Sequence, residues 1–117
     1  MNEDRRRYER WYIHIEALLY NNDAGTEAKC TVKDISENGI SFMMPKTIDC
    51  PFQQGDLIEF QFYDEFPFGR TMESFVITEQ ATIRHLGTEG DKWVLGCAVS
   101  SERFREYVLR REMLSYT

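Results

Sequence analysis

From Tyr12 onward the chain alternates between apolar and polar positions. Ile13, Ile15, Ala17 and Leu19 fall on one side of the period, with His14 and Glu16 on the other, the pattern of a half-buried strand. Asn21-Asn22-Asp23-Ala24-Gly25 supplies turn residues. A second strand follows, with Ala28, Cys30 and Val32 inward and Glu27, Lys29, Thr31 and Lys33 outward. Asp34-Ile35-Ser36-Glu37-Asn38-Gly39 interrupts the alternation, and Asn-Gly is a strong tight-turn dipeptide. Ile40, Phe42 and Met44 predict a third strand that stops at Pro45. After a polar stretch ending in Gln54-Gly55-Asp56, a fourth strand is marked by Ile58, Phe60 and Phe62.

Asp64 to Met72 contains Pro67 and Gly69 among Phe66, Phe68 and Arg70 and reads as a loop with exposed aromatic residues. A fifth strand is expected over roughly Ser74 to Leu86, long enough to hold a bulge. Glu89-Gly90-Asp91 is a turn, and Trp93, Leu95, Cys97 and Val99 form the inward side of a sixth strand. The period then changes. Phe104, Tyr107, Val108 and Met113 or Leu114 recur at helical spacing after Ser100-Ser101, residues suited to capping a helix start. Six short strands between turn signals predict an all-β fold, a small antiparallel barrel or sandwich, with the helix covering an open end or offering a contact surface.

The first ten residues carry charge without period and read as a flexible arm. One domain over residues 1–117 is expected, with the arm at 1–11, the barrel at 12–100 and the helix at 101–115. Hydrophobic residues make up 42% and aromatic residues 14%, enough for one core and too many for a disordered chain. The net charge of −6 argues against a general nucleic-acid binder, whose affinity comes from neutralising many phosphates. Cys30, Cys50 and Cys97 are odd in number and form no C-x-x-C pair, so neither a metal site nor a disulfide framework is expected, and Cys30 and Cys97 read as buried free thiols. No apolar run is long enough to cross a membrane, and the charged start lacks a secretion h-region. Cytoplasmic residence is the expectation.

Four of the ten arginines, Arg5, Arg6, Arg7 and Arg10, fall in the first ten residues, offset by Glu3, Asp4 and Glu9. Such a segment is arginine-dense without being strongly cationic and suits a small anion better than a long polyanion. Arg6 and Arg10 form the single R-x-x-x-R of the cluster, and Asp34 to Gly39 is a D-x-S-x-x-G. The two motifs in this order, with six strands, a glycine in the last strand (Gly96) and a helix after it, resemble the PilZ family of bacterial cyclic di-GMP receptors.

The resemblance implies a six-stranded antiparallel, Greek-key-like barrel with a C-terminal helix. It also implies a ligand, cyclic di-GMP, in place of a cofactor, with Arg6 and Arg10 on its phosphates and guanine edges. A guanidinium suits both, being a planar five-donor fork that is always charged. The alternative for these arginines is a solvated charge run at a frayed terminus. Asp34 is able to accept from both N1–H and N2–H of guanine, Ser36 adds a hydroxyl, and Gly39 permits positive φ or a close backbone approach. The same hexapeptide also makes sense as a hairpin turn stabilised by its own side chains. An arginine at the Arg5 position implies, by the resemblance, binding of an intercalated ligand dimer. Tyr8, Trp11 and Arg84 are candidates for stacking on guanine, with a barrel-end plug the alternative for Trp11.

No catalytic role is assigned: His14 and His85, the only histidines, sit in no nucleophile or metal pattern, and no glycine-rich phosphate loop is present. The expected function is a cyclic di-GMP receptor that orders its arm on binding and signals to an unidentified protein effector, without nucleic acid and without membrane insertion. The alternative is a protein-interaction adaptor with the same barrel that does not depend on nucleotide.

Overall fold

In a computed structural model, described here for residues 11–46 and 49–114, the alternating segments are strands. They are β1 (Trp11–Asn21), β2 (Thr26–Ser36), β3 (Gly39–Pro45), β4 (Leu57–Phe68), β5 (Thr71–Glu89) and β6 (Lys92–Ala98), followed by helix α1 (Glu102–Leu114). They close into an antiparallel barrel in the order β1-β2-β3-β6-β5-β4. β6 inserts between β3 and β5, and β4 crosses over to close against β1 through Ala17–Tyr20, a non-sequential order of the Greek-key kind.

Most of the inward rows are those the alternation predicts; the side chain of Ile13 lies outside the described residues, and β1 shifts register against β2 between Tyr12 and Ile15. Ala17 and Leu19 from β1, Cys30 and Val32 from β2, Ile40, Phe42 and Met44 from β3, Ile58, Phe60 and Phe62 from β4, and Leu95 and Cys97 from β6 are buried together. Phe52, in the segment before β4, joins them although its surroundings read as polar. Burial pushes the Cys30 and Cys97 thiols up from 9.0 to about 12, so both stay protonated at neutral pH.

The expected loop at 64–72 is instead the end of a long hairpin. β4 runs on to Phe68, β5 begins at Thr71, and only Gly69, at φ 66°, and Arg70 form the turn. Asp64 and Phe66 continue the inward row of β4, and Phe66 is buried rather than exposed. Pro67 is tolerated because β4 has left β1 behind at Phe62 and is an edge strand here.

α1 lies over this hairpin. Ser101 caps it, its hydroxyl accepting from the Phe104 N–H at 3.2 Å, an interaction worth about 1 kcal/mol. Phe104, Tyr107 and Val108 are buried at helical spacing. The Tyr107 ring meets Phe62 and Phe75 edge-on at 5.4 and 5.3 Å. Its hydroxyl donates to Asp64 at 2.8 Å, and Arg111 clamps the same carboxylate with two bonds of 2.7 and 2.9 Å. Burial first, then the Asp64 charge, raise the Tyr107 hydroxyl above its ordinary value. Arg110 pairs with Glu73 and lies over Phe68.

Candidate functional site

The D-x-S-x-x-G segment is where β2 changes phase. Val32 and Ile35 are both fully buried although three residues apart, because an extra residue, Lys33, bulges between Val32 and Asp34 against β3. With Ile35 inward and opposite Ile40, Asp34 and Ser36 share the outward side of the barrel. They form the last turn of the strand before a two-residue hairpin at Glu37 and Asn38. Gly39 is therefore not inside the turn; it opens β3 opposite Ser36. Its role is close approach rather than positive φ, since a Cβ there would lie 3.2 Å from the Cys97 carbonyl oxygen and 3.3 Å from the Ser36 hydroxyl.

The outward row crosses four strands. Asp34 pairs with Ser41 on β3, Ser41 with Gly96 on β6, and Gly96 with His85 on β5. Three strand spacings of about 4.8 Å separate its ends, roughly 14 Å in all. The middle positions are small, so the row is a trough with a carboxylate at one end and an imidazole at the other. A second row, Ser36–Gly39–Ala98–Thr82, runs beside it. Together they border a cleft of about 190 Å³ lined by Asp34, Ser36, Ser41, Arg84, His85 and Gly96 among others.

Asp34, Ser36 and Ser41 are buried despite facing outward. The far end is built by a second bulge, between Ile83 and His85, the irregularity expected in the long fifth strand. The segment before β4 fixes it: Gly55 N–H donates to the Ile83 carbonyl at 2.7 Å, and Ile83 N–H donates to the Asp56 carbonyl at 2.9 Å. Asp56 is itself held, its carboxylate accepting from Asn21 and from the Gln53 N–H. Ile83 is thus anchored inward, and Arg84 and His85 face the cleft.

Of the residues singled out in the sequence, Asp34, Ser36, Gly39 and Arg84 line this one cleft. Ser41, His85 and Gly96 share it; Ser41 faces outward by the alternation that buries Ile40 and Phe42, whereas His85 is turned there by the bulge after Ile83. Arg5, Arg6, Tyr8 and Arg10 lie outside the described residues. Trp11 opens β1 opposite Ile35, so the chain enters the barrel beside Asp34 and Ser36. The turn is also tied to the helix: Arg105 donates to Glu37 at 3.0 Å.

The family model described as PilZ domain matches residues 4–111. Among solved structures, the Bacillus subtilis inhibitor of motility (MotI/DgrA) superposes with a TM-score of 0.67 at 18% identity, over 96% of this chain and 53% of that one. The K. pneumonia MrkH–c-di-GMP complex gives 0.65 at 17% identity, over 97% of this chain and 54% of that one. The PilZ domain with c-di-GMP of Escherichia coli YcgR gives 0.67 at 13% identity, over 97% of both chains. This chain spans about half the length of the first two. No curated protein sequence matches it.

Proposed function

The chain belongs to the PilZ domain family, and from that premise we propose that it is a receptor for cyclic di-GMP. The observation that carries this reading is the outward-facing pair Asp34 and Ser36 at the end of a trough floored by Ser41 and Gly96. A carboxylate on that side is placed to accept from N1–H and N2–H of a guanine, a pairing adenine does not offer. Two of the similar structures, MrkH and the YcgR PilZ domain, are complexes with this ligand, which supports the same class of ligand here.

In this reading Arg6 and Arg10 grip phosphates and guanine edges, Arg5 favours an intercalated ligand dimer, and Tyr8, Trp11 and Arg84 are available for stacking. The ligand touches both the arm and the barrel, so binding orders the arm and presents a new surface to a protein partner. The chain acts as a single, non-enzymatic domain. Its helix is the candidate signalling surface, because Leu109 and Met113 stay exposed on it and Arg105 holds the ligand turn.

Titration calorimetry with cyclic di-GMP tests the reading, with cyclic di-AMP and a short RNA as controls. Heat from cyclic di-GMP alone, lost in Arg10→Ala, supports it. Heat from RNA and none from cyclic di-GMP overturns it. Arm ordering is checked separately by amide exchange of residues 1–10 with and without saturating ligand.

A further inference from the structure

The far end of the trough holds a residue to which neither motif assigns a role. His85 is exposed, stands opposite Gly96 in the same outward row as Asp34, and is turned to the cleft by the bulge after Ile83. With no side chain at Gly96, the imidazole borders the trough floor directly: a Cβ built there would lie 3.6 Å from the His85 Cβ and 3.7 Å from its Cδ2. The charged groups lining the same cleft are Asp34 from β2 and Arg84 from β5 itself. β3 contributes Ser41, and β6 contributes Gly96, Ala98 and the backbone of Cys97, whose thiol is buried in the core. The end away from Asp34 is therefore a paired cation site, one guanidinium that is always charged and one imidazole that gains charge on protonation.

Resting on the cyclic di-GMP reading above, we propose that His85 is a ligand contact, donating from its protonated ring to a phosphodiester oxygen while Asp34 holds a guanine at the opposite end. The span of roughly 14 Å between the two ends suits a ligand that carries bases and phosphates in one ring. A single mononucleotide base would occupy only the Asp34 end. The contact makes binding proton-linked. Imidazole is the side chain whose charge ordinarily changes between pH 5 and 8, and neither the phosphodiesters nor guanine titrates there. Bound phosphate favours the charged ring, so affinity is highest at low pH and falls as pH rises through that range.

The test is calorimetric titration of the full chain with cyclic di-GMP at pH 6 and pH 8, in buffers of different ionisation heat. Affinity should be about tenfold higher at pH 6, with net proton uptake on binding. His85→Gln should flatten the pH dependence while still binding, and His14→Gln, which removes the only other histidine, should keep it. NMR titration of the His85 ring in the unsubstituted chain gives a second readout: its protonation midpoint should move up when ligand is added.

A binding curve with the same slope in His85→Gln as in the unsubstituted chain overturns the proposal and leaves the receptor reading standing. So does a His85 midpoint that ligand does not move. Absence of cyclic di-GMP binding at both pH values overturns the receptor reading and this contact with it.

Discussion

Asp34 and Asp64 are both strand aspartates with little exposure, 5% and 7%, yet the two are built for different ends. Asp64 lies on the inward row of β4, among Phe62, Phe66 and Tyr107. Its oxygens are engaged within the chain by the Tyr107 hydroxyl and by the Arg111 fork. That carboxylate locks α1 onto the β4–β5 hairpin. Asp34 lies on the outward row, beside Ser41 and a glycine floor, at the mouth of a cleft. Burial of a carboxylate is common to both, so burial alone does not mark a site. The direction the side chain takes, and whether large or small residues surround it, separates the structural lock at Asp64 from the recognition role proposed for Asp34.

The sharpest way to break this contrast is to remove each carboxylate in turn. Asp64→Ala leaves the partly buried Arg111 guanidinium and the Tyr107 hydroxyl without their acceptor. A loss of about 3 kcal/mol in unfolding free energy is expected, at the low end for a buried pair because Arg111 keeps some solvent contact. Chemical denaturation reads this, and cyclic di-GMP affinity of the folded fraction should stay within about threefold, since Asp64 pairs with Phe75, well along β5 from the Ile83–His85 bulge that borders the cleft. Asp34→Ala should do the reverse. Its affinity for cyclic di-GMP should drop by about 100-fold, about 2.7 kcal/mol, with a smaller stability change than Asp64→Ala. If Asp64→Ala abolished binding at unchanged stability, the roles assigned to the two residues would be wrong.

The same contrast explains what the sequence revealed. Strand order along the chain and the inward rows were legible, because period-two alternation is a local signal and the core follows it strand by strand. Asp64 hid the end of β4: a charged residue in the inward register, followed by Pro67 and Gly69, imitates a loop, and only the partner residues Tyr107 and Arg111, more than 40 positions away, make that register stable. That Asp34, Ser36 and Gly39 come together was legible because a motif carries them; that His85 joins them at the same cleft was not. Strict alternation from Ile83 would turn His85 inward, and its outward direction depends on the bulge that Gly55 and Asp56 fix by bonding the Ile83 backbone. Phe52 was missed for a like reason, a lone aromatic whose burial depends on distant strands.

Gly39 sits between the two regimes, since its constraint is steric and local but its consequence lies in the cleft. A methyl group at Gly39 must push against the Cys97 carbonyl, which is backbone, and against the Ser36 hydroxyl. Gly39→Ala is expected to cost about 1–2 kcal/mol of stability by forcing β3 and β6 apart. It should also weaken cyclic di-GMP binding about tenfold by displacing Ser36, less than Asp34→Ala does. Parallel denaturation and calorimetry on the same variant separate the two effects. Full affinity with reduced stability would show that the glycine serves the barrel alone.

The smallest expected effect concerns a contact that joins the two regions. Arg105 on α1 holds Glu37 in the β2–β3 turn at 3.0 Å, but its side chain is 60% exposed. Exposed pairs of this kind are worth about 0.5 kcal/mol, so Arg105→Ala should lower stability by no more than that. Affinity should change less than about twofold at physiological salt, where screening weakens what remains of the attraction. The measurement decides whether lock and cleft are separate devices. A loss of affinity of tenfold or more in Arg105→Ala, at near-native stability, would mean that the helix helps set the position of Asp34 and Ser36. Ligand binding would then act back on α1 through the same bond, because a coupling between two sites is equal in both directions.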